Sequence, residues 1–229
     1  MARYWIMRRI RGRCTKMTIS LRHTVCLALL AQGFLSCTGA NVSVQSDNLS
    51  TGVYRIPYED KTQVVIRQDH TTHKPPNRLD LVGLGSNGQP HRLVAAASGV
   101  VRYIVDEFTI RQDRNAPQCN NNYVWIEHPN GEWTKYSHMQ QNSVRRSAQL
   151  KVGDTVQAGT YLGDEGEVGC ATGRHLHFEV AVPRDPADPI VPTGGFIKGQ
   201  NRIPRICDIP GQTASKDKRY TAAPCLNGR

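Results

Sequence analysis

The chain has 229 residues, of which 38% are hydrophobic, a length that suits one domain with appendages and allows a buried core. Its formal net charge is +10. Seven of its 29 basic residues lie within residues 1–40, which contain no acidic residue. The remainder of the chain has 22 basic and 19 acidic residues. The basicity therefore belongs mostly to the N-terminal region, and because no basic run with interleaved aromatic residues remains, we expect no nucleic-acid binding.

Residues 1–40 have the pattern of a secretory signal peptide. A basic region ends near Arg22, the apolar run Val25–Ala31 follows, and small residues occupy Ser36–Ala40. The apolar run is too short to span a bilayer comfortably, and we predict no membrane span elsewhere in the chain. The expected location is the periplasm or the extracellular side of the cell envelope.

Three alternatives stay open for this region. Translation could begin at Met17, since residues 17–40 alone have the proportions of a signal peptide, or the segment could be an uncleaved buried helix. The tripeptide Leu35–Cys37 also resembles a lipoprotein cleavage site, although Phe34 stands where leucine is usual.

Four cysteines follow this region, namely Cys119, Cys170, Cys207 and Cys225. An even number in an oxidising compartment indicates disulfides, and four cysteines allow three pairings. We favour Cys119–Cys170 within the main domain and Cys207–Cys225 in the tail, because the latter two lie together beyond the last predicted core strand. None forms a Cys-x-x-Cys motif, so a cysteine-ligated zinc site is not expected.

From residue 61 the chain has the pattern of short strands separated by turns, with no amphipathic helix of useful length. The predicted strands are Leu79–Val82, Leu93–Val105, Tyr123–Glu127, Trp133–His138 and His175–Val182. Gly99 within the second strand predicts a bend or bulge, and the turn Pro129–Gly131 predicts a hairpin between the third and fourth strands.

These elements predict an all-β class, mainly antiparallel, in a compact β-sandwich or barrel. We assign a polar approach segment to residues 41–60 and the main domain to residues 61–200. After Pro183 the chain is rich in proline and glycine and loses periodicity. Residues 201–229 are therefore interpreted as an irregular tail, closed by a disulfide.

The sharpest chemical signal is the run His175-Leu176-His177-Phe178-Glu179. On a strand alternate residues share a face, so His175 and His177 point the same way while Leu176 and Phe178 point into the core. This arrangement suits one metal ligand beside one proton-transfer group. Two ligands of one ion, or two surface histidines, are the alternatives.

Two further segments offer compatible groups. A predicted strand ends in Ser137-His138, and His70 and His73 precede Asp80, which opens a strand. Lone histidines of this kind are more often structural or merely exposed. Together with the first motif they supply His, Asp and His, and three N/O ligands with an open fourth position are what catalytic zinc requires.

The order His…Asp, Tyr-Ser-His and His-Leu-His-Phe-Glu resembles the lysostaphin-type zinc metallopeptidases over about residues 60–185. The resemblance implies a barrel-sandwich hybrid of β-strands, the duplicated hybrid motif. It also implies that Asp80 and His177 bind zinc, and that His138 and His175 form the catalytic pair.

The first metal ligand departs from the usual family pattern. Many members have His-x-x-x-Asp, but Pro76 stands four residues before Asp80. Other members have a longer gap with an Asn-Arg pair before the aspartate, which Asn77–Arg78 matches. In that variant His73 is the first ligand, and His70 is the alternative.

The implied function is that of a secreted zinc metalloendopeptidase that hydrolyses peptide cross-links of bacterial cell-wall peptidoglycan. Its partners are then peptidoglycan stem peptides, and we assume a monomer. His138 and His175 would position or deprotonate a water molecule and stabilise the developing oxyanion. The disulfide Cys119–Cys170 would brace the loops beside the site, and His91 and His128 are interpreted as surface or structural residues.

Two other functions fit parts of the pattern. A non-catalytic member of the family could activate or scaffold other cell-wall hydrolases, but such relatives usually lose ligands that this chain retains. A sugar-transport phosphocarrier on a similar sandwich also uses paired histidines, but it works in the cytoplasm, contrary to the N-terminal signal. The sequence contains no Gly-x-Ser-x-Gly, no His-Glu-x-x-His and no phosphate-binding glycine loop.

Overall fold

The computed structural model describes residues 48–113, 115–192 and 194–226. Regular structure within them is nearly all β, with a π-helical turn at Ser143–Ser147 and a 3-10 turn at Pro210–Gln212. The strands are β1 (Leu49–Tyr54), β2 (Gln63–Gln68), β3 (Arg78–Leu84), β4 (Arg92–Val94), β5 (Gly99–Val105), β6 (Tyr123–Glu127), β7 (Trp133–Ser137), β8 (Thr155–Val156), β9 (Tyr161–Asp164), β10 (Leu176–Pro183), β11 (Gly199–Ile206) and β12 (Arg219–Thr221).

One large curled sheet dominates the described part of the chain. Its strand order is β12-β2-β3-β10-β7-β6-β5-β8, while β11 pairs with both β10 and β1. Strands β4 and β9 form a separate two-stranded sheet. Neighbouring strands are antiparallel except for β1 and β11, which are parallel. The predicted all-β, mainly antiparallel class is confirmed.

The central strands β3, β10 and β7 are buried on both faces. On one face Leu81, Tyr136 and Phe178 enter the main hydrophobic core. Because successive side chains alternate between faces, the residues between these apolar positions point the other way. On that second face, which we call the polar face, the sheet register places His177 directly beside Asp80.

A smaller hydrophobic cluster covers one part of the polar face. It consists of Tyr123, Trp125, Trp133 and Ala181, which come from β6, β7 and β10. Trp125 Nε1 donates a hydrogen bond of 2.8 Å to the carbonyl oxygen of Gly195. The connection between β10 and β11 is therefore held against this cluster.

The C-terminal region is more regular than the sequence indicates. The prediction that His175–Val182 is the last strand is wrong, because β11 and β12 follow it and pair with β10, β1 and β2. Gly199 and Pro204 lie within β11 and obscure its alternation. The tail at 201–229 thus contributes two strands to the main sheet.

The predicted long strand Leu93–Val105 is divided at the bend that Gly99 indicates. Strand β4 ends at Val94, and Gly99 is the first residue of β5. A Cβ atom at Gly99 would lie 2.3 Å from the carbonyl oxygen of Glu127, so only glycine allows this close approach of neighbouring strands.

Both predicted disulfides are confirmed. The Cα atoms of Cys119 and Cys170 are 5.4 Å apart, and those of Cys207 and Cys225 are 5.6 Å apart. The second bridge closes the segment that contains β12, and β12 in turn pairs with β2.

The predicted signal peptide at 1–40, including Met17 and Cys37, lies outside the described residues. The boundaries between 41–60, 61–200 and 201–229 stay predictions. In the described part of the chain, no helix has the length and apolar character needed to cross a bilayer.

Candidate metal centre and catalytic cleft

Three side chains from separate elements meet on the polar face. Asp80 lies on β3, His177 lies beside it on β10, and His73 lies in the loop between β2 and β3. Asp80 Oδ1 is 3.1 Å from His177 Nδ1 and 3.5 Å from His73 Nε2. All three residues are buried, and one potential ligand atom from each lies within 4.8 Å of the others. The structure thus brings the three predicted metal ligands together.

Hydrogen bonds fix the loop that carries His73. The carboxylate of Asp69 accepts hydrogen bonds from the backbone N–H groups of Thr71, Thr72 and, from the tail, Lys216. The N–H of His73 donates to the backbone carbonyl of Asp69 at 2.9 Å. Burial alone would raise the pKa of Asp69. The hydrogen bonds lower the pKa by a larger amount, so the net pKa lies well below its ordinary value.

Within the described residues, the remaining histidines outside the predicted catalytic pair do not join the cluster. His70, the alternative first ligand, is not among the three clustered residues, and its Nδ1 is buried without a hydrogen-bond partner in the described structure. His91 Nδ1 lies 3.1 Å from the carboxylate of Glu165. The ring of His128 bonds to a backbone carbonyl and a hydroxyl group, so both of these histidines have structural contacts.

His138 and His175 lie beside the three clustered residues. Their ring centroids are 4.6 Å apart, and the ring of His138 is 5.9 Å from that of His177. His175 Nε2 is 3.8 Å from Asp80 Oδ1. Gly166 forms an isolated antiparallel β-bridge with His175. A Cβ atom at Gly166 would lie 2.5 Å from the carbonyl oxygen of His138. A glycine at this position therefore lets the two predicted catalytic histidines approach each other.

Backbone carbonyls orient three of the four imidazole rings. The Nδ1 atoms of His73, His138 and His175 lie 2.7, 2.7 and 2.8 Å from the carbonyl oxygens of Pro75, Val168 and Gly173, respectively. Because a carbonyl oxygen only accepts, each Nδ1 carries a proton, and in the neutral ring Nε2 has the free lone pair.

His177 has the opposite orientation. Its Nε2 lies 2.9 Å from Oε1 of the fully buried Glu179, and its Nδ1 faces Asp80. Burial lowers the pKa of His177, but the close contacts of the ring with the carboxylates of Asp80 and Glu179 and their negative charge raise it, and the net pKa is raised. Burial raises the pKa of Asp80, but its close contacts with His177 and His73 lower it by more, so the net pKa lies well below its ordinary value.

This donor set fits a divalent metal of the zinc type, which takes imidazole nitrogens and carboxylate oxygens. With Nε2–H of His177 held by Glu179, the Nδ1 lone pair faces Asp80 Oδ1 at 3.1 Å. Two acceptors at that distance need a proton or a metal cation between them. In the part of the chain that the structure describes, the other group of possible ligands contains the disulfide-bonded residues Cys207 and Cys225, which have no thiolate to offer.

The surroundings of His138 favour its neutral form. Burial holds the pKa of His138 well below its ordinary value, and repulsion from His175 and His177 lowers it further. A neutral ring with its Nδ1–H on a carbonyl can accept a proton at Nε2, as a general base must.

The clustered histidines line a cleft with several other residues. Cys119 and Cys170, which form a disulfide, are part of the lining, and the bracing role of this disulfide stays a prediction. Gly194 and Phe196, from the connection between β10 and β11, also line the cleft. The ring of Phe196 lies 4.1 Å from Lys135 Nζ.

Sequence reasoning missed a buried group of charges next to His177. Lys135 Nζ lies 3.6 Å from Glu179 Oε1, and Arg78 Nε lies 3.1 Å from Glu179 Oε2. Burial lowers the pKa of Lys135 to about 8, although the charge of Glu179 opposes this shift. Burial raises the pKa of Glu179, but Lys135 and His177 lower it well below its ordinary value. The available signal was the presence of charged residues at alternate positions of strands that are otherwise apolar.

Comparison with known families confirms the resemblance predicted from the motifs. Residues 84–189 match the model of Peptidase family M23. The match includes His138, His175 and His177 and begins beyond Asp80.

Two curated relatives come from Vibrio cholerae serotype O1. Peptidoglycan DD-endopeptidase ShyC is 43% identical over 107 residues, which cover 45% of this chain and 23% of the relative. Peptidoglycan DD-endopeptidase ShyA is 28% identical over 157 residues, which cover 68% of this chain and 33% of the relative. The chain therefore spans a third or less of the length of these relatives. Among solved structures, the deep-sea M23 metalloprotease pseudoalterin is 19% identical over 77% of this chain and 99% of that chain, with a TM-score of 0.41.

Proposed function

We propose that this chain is an exported zinc endopeptidase that hydrolyses peptide cross-links in bacterial cell-wall peptidoglycan. The observation that carries the proposal is the convergence of His73, Asp80 and His177 within 4.8 Å, with His138 and His175 beside them. The names of ShyC and ShyA as peptidoglycan DD-endopeptidases support the choice of the cell wall as substrate.

The metal would be held by His73 Nε2, Asp80 Oδ1 and His177 Nδ1. When bound, zinc polarises the scissile carbonyl and lowers the pKa of a water molecule towards neutrality. The fixed tautomers of the two histidines support these roles, because each would present an unprotonated nitrogen to the ion.

His138 and His175 would perform the proton transfers. Since backbone carbonyls hold both Nδ1–H groups, each neutral ring offers Nε2 as an acceptor. One Nε2 would take a proton from the attacking water, and the ring then becomes an imidazolium that donates from both nitrogens. That imidazolium can stabilise negative charge on the carbonyl oxygen of the substrate and then pass its proton to the leaving amine nitrogen.

We expect the cleft to accept a peptide substrate in an extended conformation beside these rings. The disulfide Cys119–Cys170 belongs to the lining and would restrict the movement of the loops that it joins. Such restriction matters because a catalytic group must be held within a fraction of an ångström of its productive position.

Digestion of purified sacculi tests the function. The zinc-loaded protein should convert cross-linked muropeptides into uncross-linked ones while leaving the glycan strands intact, as measured by mass spectrometry of the released fragments. A chelator should stop the reaction and added zinc should restore it. A protein that contains zinc but leaves every cross-link intact would contradict the enzymatic proposal and favour a non-catalytic role in activating other wall hydrolases.

A further inference from the structure

Glu179 is a buried carboxylate that the proposed reaction does not use. It lies on β10, two residues after His177, and has no exposed surface. Its Oε1 lies 2.9 Å from His177 Nε2 and 3.6 Å from Lys135 Nζ, and its Oε2 lies 2.6 Å from Asn201 Nδ2 and 3.1 Å from Arg78 Nε. Both oxygens therefore face hydrogen-bond donors or cations, which is the environment that a buried carboxylate requires.

The contact with Glu179 determines which nitrogen of His177 is available. A carboxylate only accepts, so Nε2 of His177 directs its proton towards Glu179. In the neutral ring the lone pair then belongs to Nδ1, which faces Asp80. Glu179 is the only acceptor that the described structure gives to Nε2 of this ring.

The other rings of the site show why His177 needs this contact. In His73, His138 and His175 a backbone carbonyl holds Nδ1–H, and Nε2 faces the site. His177 is on a central strand, where the backbone carbonyls already bond to neighbouring strands. Its ring orientation must therefore be fixed by a side chain, and Glu179 occupies the next position on the same face of the strand.

We propose that Glu179 is a positioning residue that selects Nδ1 of His177 as the metal-binding atom. Lys135 and Arg78 balance its charge in a buried environment, and Asn201 on β11 fixes the second oxygen. The inference rests on the proposed function, because it requires a metal at this centre. In this role Glu179, which is not one of the three proposed ligands, orients His177, which is one of them.

A carboxylate elsewhere in the fold provides a matched control. Glu132 is also buried, and it accepts hydrogen bonds from the backbone N–H groups of Thr51 and Gly52 and from the hydroxyl of Tyr54. It immediately precedes β7, whereas His138 follows the other end of that strand. Replacement of Glu132 by glutamine therefore imposes the same chemical change away from the metal centre.

The test measures zinc affinity in the Glu179→Gln and Glu132→Gln variants of the full chain, by competition with a chromophoric chelator. In Glu179→Gln either end of the new side-chain amide can face His177 Nε2. If the amide nitrogen takes that position, it donates a hydrogen bond to Nε2, and Nδ1 is no longer selected as the atom with the lone pair. We expect Glu179→Gln to weaken zinc binding by about 10- to 100-fold, the range found for residues that orient metal ligands. Glu132→Gln should leave the zinc affinity unchanged.

A second measurement does not depend on the folding of any variant. Long-range proton–nitrogen correlation spectra of the unmodified, zinc-loaded protein report which nitrogen of each histidine carries a proton. His177 should be protonated at Nε2, and His73 at Nδ1. A spectrum with the proton of His177 on Nδ1 overturns the inference, whatever the behaviour of the variants.

The outcomes separate this inference from the proposed function. If the parent protein binds zinc and Glu179→Gln binds it equally well, the positioning role is wrong and the zinc site stands. Equal weakening in Glu179→Gln and Glu132→Gln would show a general loss of stability and would also overturn the positioning role. If the parent protein binds no zinc, the proposed function and the inference both fail.

Discussion

The surroundings of Asp80 differ in kind from those of Glu132, although both carboxylates are buried. Glu132 accepts hydrogen bonds from two backbone N–H groups, the Tyr54 hydroxyl and the side-chain amide of Asn130. All of these partners are donors, so this group is satisfied by the protein alone. It ties β1 to the hairpin of β6 and β7.

Asp80 lies instead among imidazole nitrogens, at 3.1 to 3.8 Å from His177, His73 and His175. With the Nδ1–H groups of His73 and His175 on carbonyls and the Nε2–H of His177 on Glu179, the neutral rings present lone pairs to this carboxylate. Acceptors that face one another in this way need a proton or a metal cation between them. Burial of a polar group therefore does not identify the functional site, whereas the kind of partner does.

The largest effect on zinc binding and cleavage is expected from removal of Asp80. In Asp80→Ala the remaining histidines lose the only anionic ligand of the set, and we expect zinc to fall from stoichiometric to background amounts and cleavage to be abolished. Elemental analysis of dialysed protein and the sacculus assay measure the two effects. Retention of zinc by folded Asp80→Ala would place the metal elsewhere.

Replacement of the proposed catalytic pair should separate chemistry from metal binding. His138→Ala and His175→Ala remove proton-transfer groups but no proposed ligand, so zinc content should stay at the parent level. The rate of cross-link cleavage should fall by about 10²- to 10⁴-fold, the usual contribution of general acid–base catalysis. Full activity in His175→Ala, assayed on the same preparation as its zinc content, would end the proposed mechanism.

Glu132→Gln should destabilise the fold without affecting the candidate metal centre. An amide nitrogen facing the donors around position 132 leaves buried groups unsatisfied, which should lower the free energy of unfolding by about 1–3 kcal/mol. Zinc should still stabilise the variant as it does the parent, by about 2.7 kcal/mol at a free concentration 100 times Kd. Denaturant titrations with and without zinc measure both quantities, and a smaller zinc-dependent gain in the variant would show that the two regions are coupled.

The smallest effect is expected for His70→Ala. His70 lies outside the clustered residues, so its replacement should leave zinc content and cleavage unchanged. His73→Ala is the matched variant and should lose zinc, because it removes one of the two proposed imidazole ligands. The reverse result would assign the first ligand to His70.

Much of the candidate site followed from local sequence patterns. Strand alternation predicted that His175 and His177 share a side of the sheet, and both rings do lie near Asp80. The preference for His73 over His70 came only from the resemblance to a family variant, because the sequence does not show how the loop is held. In the structure, the backbone N–H of Lys216 donates to the carboxylate of Asp69 in that loop, although the two residues are 147 positions apart.

The least predictable parts were those fixed by distant pairing. Alternation does not reveal that Lys135 and Arg78 flank Glu179, because their strands become neighbours of β10 only in the folded sheet. The tail strands were missed for a related reason. Strand β11 contains Gly199 and Pro204, which oppose strand formation locally, and its pairing with β1 and β10 compensates for that preference.

The bond between Asp69 and the Lys216 backbone has a practical consequence for protein engineering. The segment after β11 supports the loop of His73 from the other end of the chain, so a cut near residue 200 would remove that support together with β12. A cell-wall targeting module or an affinity tag should therefore be fused beyond Cys225. Replacement of the tail by such a module would remove the hydrogen bond that the tail donates to the loop of His73.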